Sequence, residues 1–203
     1  MNRSEVLLLF AKAPLPGQAK TRLIPALGAE GAAALQQRLL RRSLLMASGC
    51  GADLQLWCSP DTDHSAFVEA RQAHELVCHA QRGKDLGQRM AHAMDQALRQ
   101  YRKAVLIGTD CPGLSVADVR QAFDLLQDHA AVIGPAADGG YYLIGLHHFE
   151  ASLFQGIDWG SERVLDQSCQ RLRQAGMDYG TLTTRRDLDR PEDLTWFPEL
   201  LDD

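Results

Sequence analysis

Short, wholly apolar runs alternate along this chain with longer stretches in which apolar residues return every three or four positions. The first pattern suits strands buried on both faces, the second helices with one buried face. Val6–Ala11 is the clearest strand. A helix is predicted over Gly28–Ser48, with Leu35, Leu39 and Met46 on one face and Arg38, Arg41 and Arg42 outside it. Further strands are predicted at Leu54–Cys58, Leu76–His79, Ala104–Gly108, Ala130–Gly134, Tyr141–Leu146 and Tyr179–Thr183. Helices are predicted at Asp63–Ala73, through Leu86, Met90, Ala93, Ala97 and Tyr101, and at Ser161–Ala175. Ser115 with Asp118 resembles a capping box opening a further helix with Val116, Val119, Phe123 and Leu126 inward. A short helix and a frayed end are expected over 191–203.

Strand–helix alternation at this spacing predicts a single-domain α/β fold over 1–203, built on a mostly parallel, doubly wound sheet with helices on both faces. Ligands of such sheets bind at the carboxyl ends of the strands, so the segments following them carry the candidate chemistry. After the first strand comes a Pro/Gly loop with three cations, Lys12, Lys20 and Arg22, and with Pro16 and Gly17 between them. A Walker loop would need glycines where Pro14 and Ala19 stand, and no G-x-G-x-x-G follows a strand. Phosphate binding would therefore rest on side chains, with loop amides assisting. An ordinary solvated basic loop is the competing reading.

Asp110 follows the fourth strand in Gly108-Thr-Asp-Cys-Pro112, and Ser115 is the better helix cap, which frees Asp110 for another role. Asp138-Gly139-Gly140-Tyr141 reads equally as a ligand-approaching turn or as a hairpin turn. Asp187 and Asp189 alternate onto one side after the last strand, with Asp189 also a candidate cap for a helix starting at Pro191.

The net charge of −5 argues against nucleic acid as a partner and makes the basic loop stand out. No apolar run approaches the roughly 18 residues of a membrane helix. Five cysteines without C-x-x-C spacing point to reduced thiols and a cytoplasmic setting.

Five segments, Phe10–Leu23, Gln81–Met90, Gly108–Pro112, Gly134–Gly145 and Asp187–Leu194, resemble in order those of the nucleotide-diphospho-sugar transferase (GT-A fold, Rossmann-like) superfamily. More closely, they resemble a bacterial glycosyltransferase-like family. The resemblance implies a nucleotide held by Lys12, Pro16, Gly17, Lys20 and Arg22, with Gly83, Asp85 and Gly87 near the base. It implies a divalent metal, Mg2+ or Mn2+, on Asp110 and Asp189, with Asp187 a neighbour. Asp138, Gly139, Gly140 and Tyr141 would line the sugar or acceptor pocket, and Lys20, Arg22 and Asp110 would be catalytic. The implied ligands are a nucleotide or nucleotide sugar and a small-molecule acceptor. The loop with Lys20-Thr21-Arg22 is also similar to that of 2-phospholactate guanylyltransferase, and the G-x-G-x-R start of sugar nucleotidyltransferases is absent. Three readings follow: a metal-dependent glycosyltransferase, a nucleotidyltransferase acting on a phosphorylated acceptor, and a nucleotide-binding protein without catalysis. In the first two, Asp110 and Asp189 would repel each other in the empty site.

Overall fold

In the computed structural model, which describes residues 3–201, the predicted alternation becomes one seven-stranded sheet of order β3-β2-β1-β4-β6-β5-β7. The strands are β1 (Arg3–Lys12), β2 (Asp53–Ser59), β3 (Val77–Ala80), β4 (Tyr101–Ile107), β5 (Ala131–Pro135), β6 (Tyr141–Leu146) and β7 (Tyr179–Thr181). Pairing is parallel except at β6, which runs antiparallel to both β4 and β5. The helices are α1 (Ile24–Ser48), α2 (Ser65–His74), α3 (Leu86–Leu98), α4 (Val116–Leu125) and α5 (Val164–Gln174).

Alternation along β1 divides the interior. Leu7 and Leu9 pack with Leu40, Leu44, Phe67 and Phe123 from α1, α2 and α4. Val6 and Leu8 point the other way, into Met90, Met94 and Leu172 from α3 and α5. Both faces are therefore covered, as a doubly wound sheet requires.

Two elements differ from the sequence pattern. Tyr101 continues the four-residue rhythm of α3 but belongs to β4, opposite Arg3. Its ring is buried in the core that α3 also faces, and its hydroxyl donates to Asp53 at 2.8 Å. A shared core face, not a shared helix, explains the rhythm. The first helix begins before Gly28, which breaks it with φ 71 and ψ 169, a conformation glycine tolerates. Upstream, Thr21–Leu23 forms a 3-10 turn.

The last described segment folds back on the first. The 3-10 turns Pro191–Trp196 and Pro198–Leu200 bring Leu194 and Leu200, with Leu188, onto Leu23, Leu35 and Leu39. Residues 202 and 203, part of the expected frayed end, lie outside the described residues.

The Ser115/Asp118 capping box is present. Asp118 also accepts from Arg185 at 2.7 Å, tying α4 to the segment after β7. Burial pushes the Asp118 carboxyl up, but the Arg185 and Ser115 hydrogen bonds outweigh it and hold the group below its ordinary range. Asp118→Ala is expected to cost about 2–3 kcal/mol, from a lost cap and a charge-assisted hydrogen bond. Urea unfolding of variant and wild type measures it. A lowered folded pKa stabilises above the unfolded value, so the difference should shrink as pH falls below about 4.

Candidate active site

Between β1 and β4 the strand order reverses, with β2 and β3 laid to one side of β1 and β4 to the other. A crevice opens there at the carboxyl ends. The loop leaving β1 is drawn in by Ala19 and Leu23, both fully buried, and Lys20 between them has no outward route. Its backbone is left-handed at φ 47, costly for a residue with a Cβ. The Lys20 side chain is only 3% exposed. Its Nζ donates to the Leu188 carbonyl at 2.5 Å and stands 2.6 Å from Asp110 Oδ1 and 4.0 Å from Asp189 Oδ1. Leu188 N–H in turn donates to the Asp110 carbonyl at 2.7 Å. One ammonium thus joins the first loop, the end of β4 and the segment after β7.

The carboxylates around it differ. Asp110 is half exposed to the crevice and accepts from Thr109 Oγ1 at 3.3 Å. Thr109 is itself held by Gln36 Nε2 at 3.1 Å. Asp189 is engaged by Arg22 NH1 at 2.5 Å. It caps nothing: the Asp189 and Arg190 N–H groups donate to Asp193 at 3.0 and 2.8 Å. Asp187 is deeply set, and its Oδ1 is buried with no hydrogen-bond partner. Burial, then the charges of Asp110 and Asp138, push its carboxyl up to about 7, against the opposing pull of Lys20. Burial and the neighbouring Asp187 likewise push the Cys111 thiol up to about 12, which favours its neutral form.

The crevice is a cleft of about 620 Å³. Lys12, Arg22 and Arg89 bring positive charge to its lining, which also includes Ser59 and Gln81. Phe10, Leu86, Met90, Tyr141, Trp159 and Val164 supply apolar and aromatic surface. Tyr141 and Trp159 meet edge to face with centroids 6.4 Å apart.

Of the residues singled out from the sequence, Lys12, Lys20, Arg22, Asp110, Asp138, Gly140, Tyr141, Asp187 and Asp189 line this cleft. Pro16, Gly17, Gly83, Asp85, Gly87 and Gly139 lie outside its lining. Asp85 caps α3, accepting from Gln88 N–H at 2.8 Å. Gly87 leaves room for Trp159 and the Phe154 carbonyl, so it acts by seating a cleft residue. Gly139, at φ 88, lets the Glu162 carbonyl pass where a Cβ would stand. Asp138 Oδ1 accepts from Gly140 N–H at 2.9 Å, so this aspartate both shapes the turn and faces the cleft.

Gln36, Gln81, Arg89 and Trp159 were not picked out from the sequence. Gln36 had a signal: a polar side chain beside Leu35 and Leu39 on the inward side of a helix. It is buried and bridges the Lys12 carbonyl to Thr109. Gln81 donates to the Ala11 and Trp57 carbonyls at 3.4 and 2.9 Å. Arg89 donates to the Gly83 carbonyl at 3.2 Å and Ser59 Oγ at 3.4 Å.

Among the described residues, no three His, Cys, Asp or Glu side chains are gathered as a ready-made metal site. The donors nevertheless suit a hard divalent cation. Magnesium takes one or two carboxylates and completes its shell with water and phosphate oxygens. Asp110 faces the cleft, and Asp187 presents an unpartnered oxygen close enough to feel its charge.

A family model described as "Uncharacterized protein conserved in bacteria (DUF2064)" matches residues 44–161. Comparison with the curated proteins found no match. Among solved structures, a protein from Desulfovibrio desulfuricans, provisionally assigned as a nucleotide-diphospho-sugar transferase, is 34% identical. The match covers 97% of this chain and 88% of that one, with a TM-score of 0.87. A nucleotidyl transferase from Methanothermobacter thermautotroptrophicus is 14% identical over 98% and 97% of the two chains, with a TM-score of 0.65. The 4-diphosphocytidyl-2C-methyl-D-erythritol synthase of Anaerococcus prevotii is 9% identical over 98% of each, with a TM-score of 0.64. At those identities the last two likenesses concern the fold alone.

Proposed function

Since the chain belongs to the bacterial DUF2064 family, within the nucleotide-diphospho-sugar transferase superfamily, and is a transferase, we propose that it moves a glycosyl group from a nucleotide sugar to a small acceptor. One observation carries the reading. The same cleft holds cations able to grip a diphosphate, the carboxylates Asp110 after β4 and Asp187 in the segment following β7, and aromatic surface from Tyr141 and Trp159. The relative of 34% identity supports the choice of donor.

In this reading Lys12, Arg22 and Arg89 donate to the diphosphate oxygens and offset the charge that builds on the leaving nucleoside diphosphate. Asp110 and Asp187 would hold a divalent cation, with Asp187 in place of the expected Asp189, which Arg22 already engages at the rim. When bound there, such an ion would add to the neutralisation of the leaving group. Tyr141 and Trp159 offer faces on which a sugar ring stacks. Asp138, with Oδ1 tied to the turn, accepts from a donor or acceptor hydroxyl. No step requires a covalent intermediate on the protein.

Nucleotidyl transfer from a nucleoside triphosphate to a phosphorylated acceptor is the second reading. The several cations lining one cleft favour it, because they match a longer phosphate chain. The leaving group separates the two. A panel of nucleotide sugars and nucleoside triphosphates, each with Mn2+, is screened first by thermal shift and then for product. Stabilisation by a nucleotide sugar, with release of nucleoside diphosphate, is expected. Stabilisation by triphosphates alone, with release of pyrophosphate, would move the assignment to the second reading. A panel without any shift would remove both.

A further inference from the structure

The Lys20 ammonium lies where the carboxylates of the cleft would otherwise receive a metal. We propose that Lys20 is a resident counter-cation. It keeps divalent metal out of the carboxylate centre of the free protein and leaves when a phosphate group offers it another partner. The inference rests on the proposed function, since it presumes that phosphate and metal meet in this cleft.

Three observations place Lys20 in this role. Its Nζ stands 2.6 Å from Oδ1 of Asp110, a carboxylate that would face a metal, and 4.0 Å from Asp189 Oδ1 at the rim. Its backbone holds a left-handed conformation at φ 47, and its side chain is 3% exposed, so the inward aim is built into the loop. It also lines the cleft, within reach of whatever occupies it. A divalent ion and an ammonium cannot share Asp110 Oδ1 without strong like-charge repulsion. The ammonium sits on a flexible stem with three donors, of which one goes to the Leu188 carbonyl. A phosphate in the cleft gives the remaining donors a new acceptor, and Asp110 is then released to the metal.

Removing the ammonium should therefore move two affinities in opposite directions. Mn2+ alone is titrated into wild type and Lys20→Met, with free Mn2+ read by electron paramagnetic resonance. Inorganic pyrophosphate is titrated separately into both proteins in EDTA, by calorimetry. The expected result is at least a tenfold gain in Mn2+ affinity and at least a tenfold loss in pyrophosphate affinity. A lysine needed only to hold the segments together would lose both. Lys20→Gln keeps an N–H donor for the Leu188 carbonyl and replaces the methionine variant should that one fail to fold. Unchanged or weaker Mn2+ binding by a folded variant, with wild type still binding Mn2+ and pyrophosphate, overturns the displacement and leaves the proposed function standing. Absence of Mn2+ binding in wild type and variants alike overturns the displacement and the metal together.

Discussion

Asp110→Asn is expected to lower turnover by at least about a hundredfold in any metal-supported transfer assay. Residues merely supporting a metal ligand typically cost 10–100-fold, and Asp110 is proposed as a ligand itself. Nucleotide binding in EDTA should change far less than binding with Mn2+. The variant should also be less stable, by about 1–3 kcal/mol, because Lys20 loses a charge-assisted partner. That sign reverses what two facing carboxylates alone would suggest, since an ammonium stands against both. Turnover, calorimetry and urea unfolding on one preparation test the three effects. Full activity with Mn2+ would remove Asp110 from the chemistry.

The second large effect lies in the pH dependence of the metal-free protein. Asp187 faces Asp110, Asp138, Lys20 and Cys111, and burial with the two carboxylates raises its carboxyl to about 7. Between about 4 and 7 the folded protein holds a proton that the unfolded chain releases, so stability falls as pH rises through that window. The full penalty, reached above it, is on the order of 4 kcal/mol. Asp187→Asn removes the titration. With EDTA present, the variant should match wild type near pH 4 and exceed it at pH 8. Urea midpoints across that range are the measurement, and parallel curves would refute the expectation.

Much of the fold is legible in the sequence. Strand ends, the capping box and the loop cations follow from local pattern, because each depends on neighbours within a few residues. The use to which the residues are put was less legible. Asp187 and Asp189 look alike in sequence and both line the cleft, yet Asp187 Oδ1 is buried without a partner while Asp189 is engaged by Arg22. Leu188, fully buried between them, leaves both facing the cleft, and the difference comes from Arg22 reaching Asp189. Lys20 reads as a loop cation like Lys12, and only the buried positions of Ala19 and Leu23 turn it inward. Gly87 reads as a loop glycine, and its work is to admit Trp159, 72 positions on in the numbering. Tyr101 misleads because α3 and β4 bury side chains in one core. Each of these depends on long-range contact, which no window of the chain contains.

Lys20 and Leu188 are separated by 168 positions. A ribosome adding about 5–20 residues per second therefore needs roughly 8–34 seconds between making the ammonium and making the carbonyl that receives it. Throughout that interval β1, α1 and their neighbours can collapse, but Leu23, Leu35 and Leu39 still lack Leu188, Leu194 and Leu200. The nascent protein thus carries an open apolar flank on α1 and an unclosed loop, while its carboxylate at position 110 is already displayed. The flank is covered and the loop closed when the late segment packs against Leu23, Leu35 and Leu39.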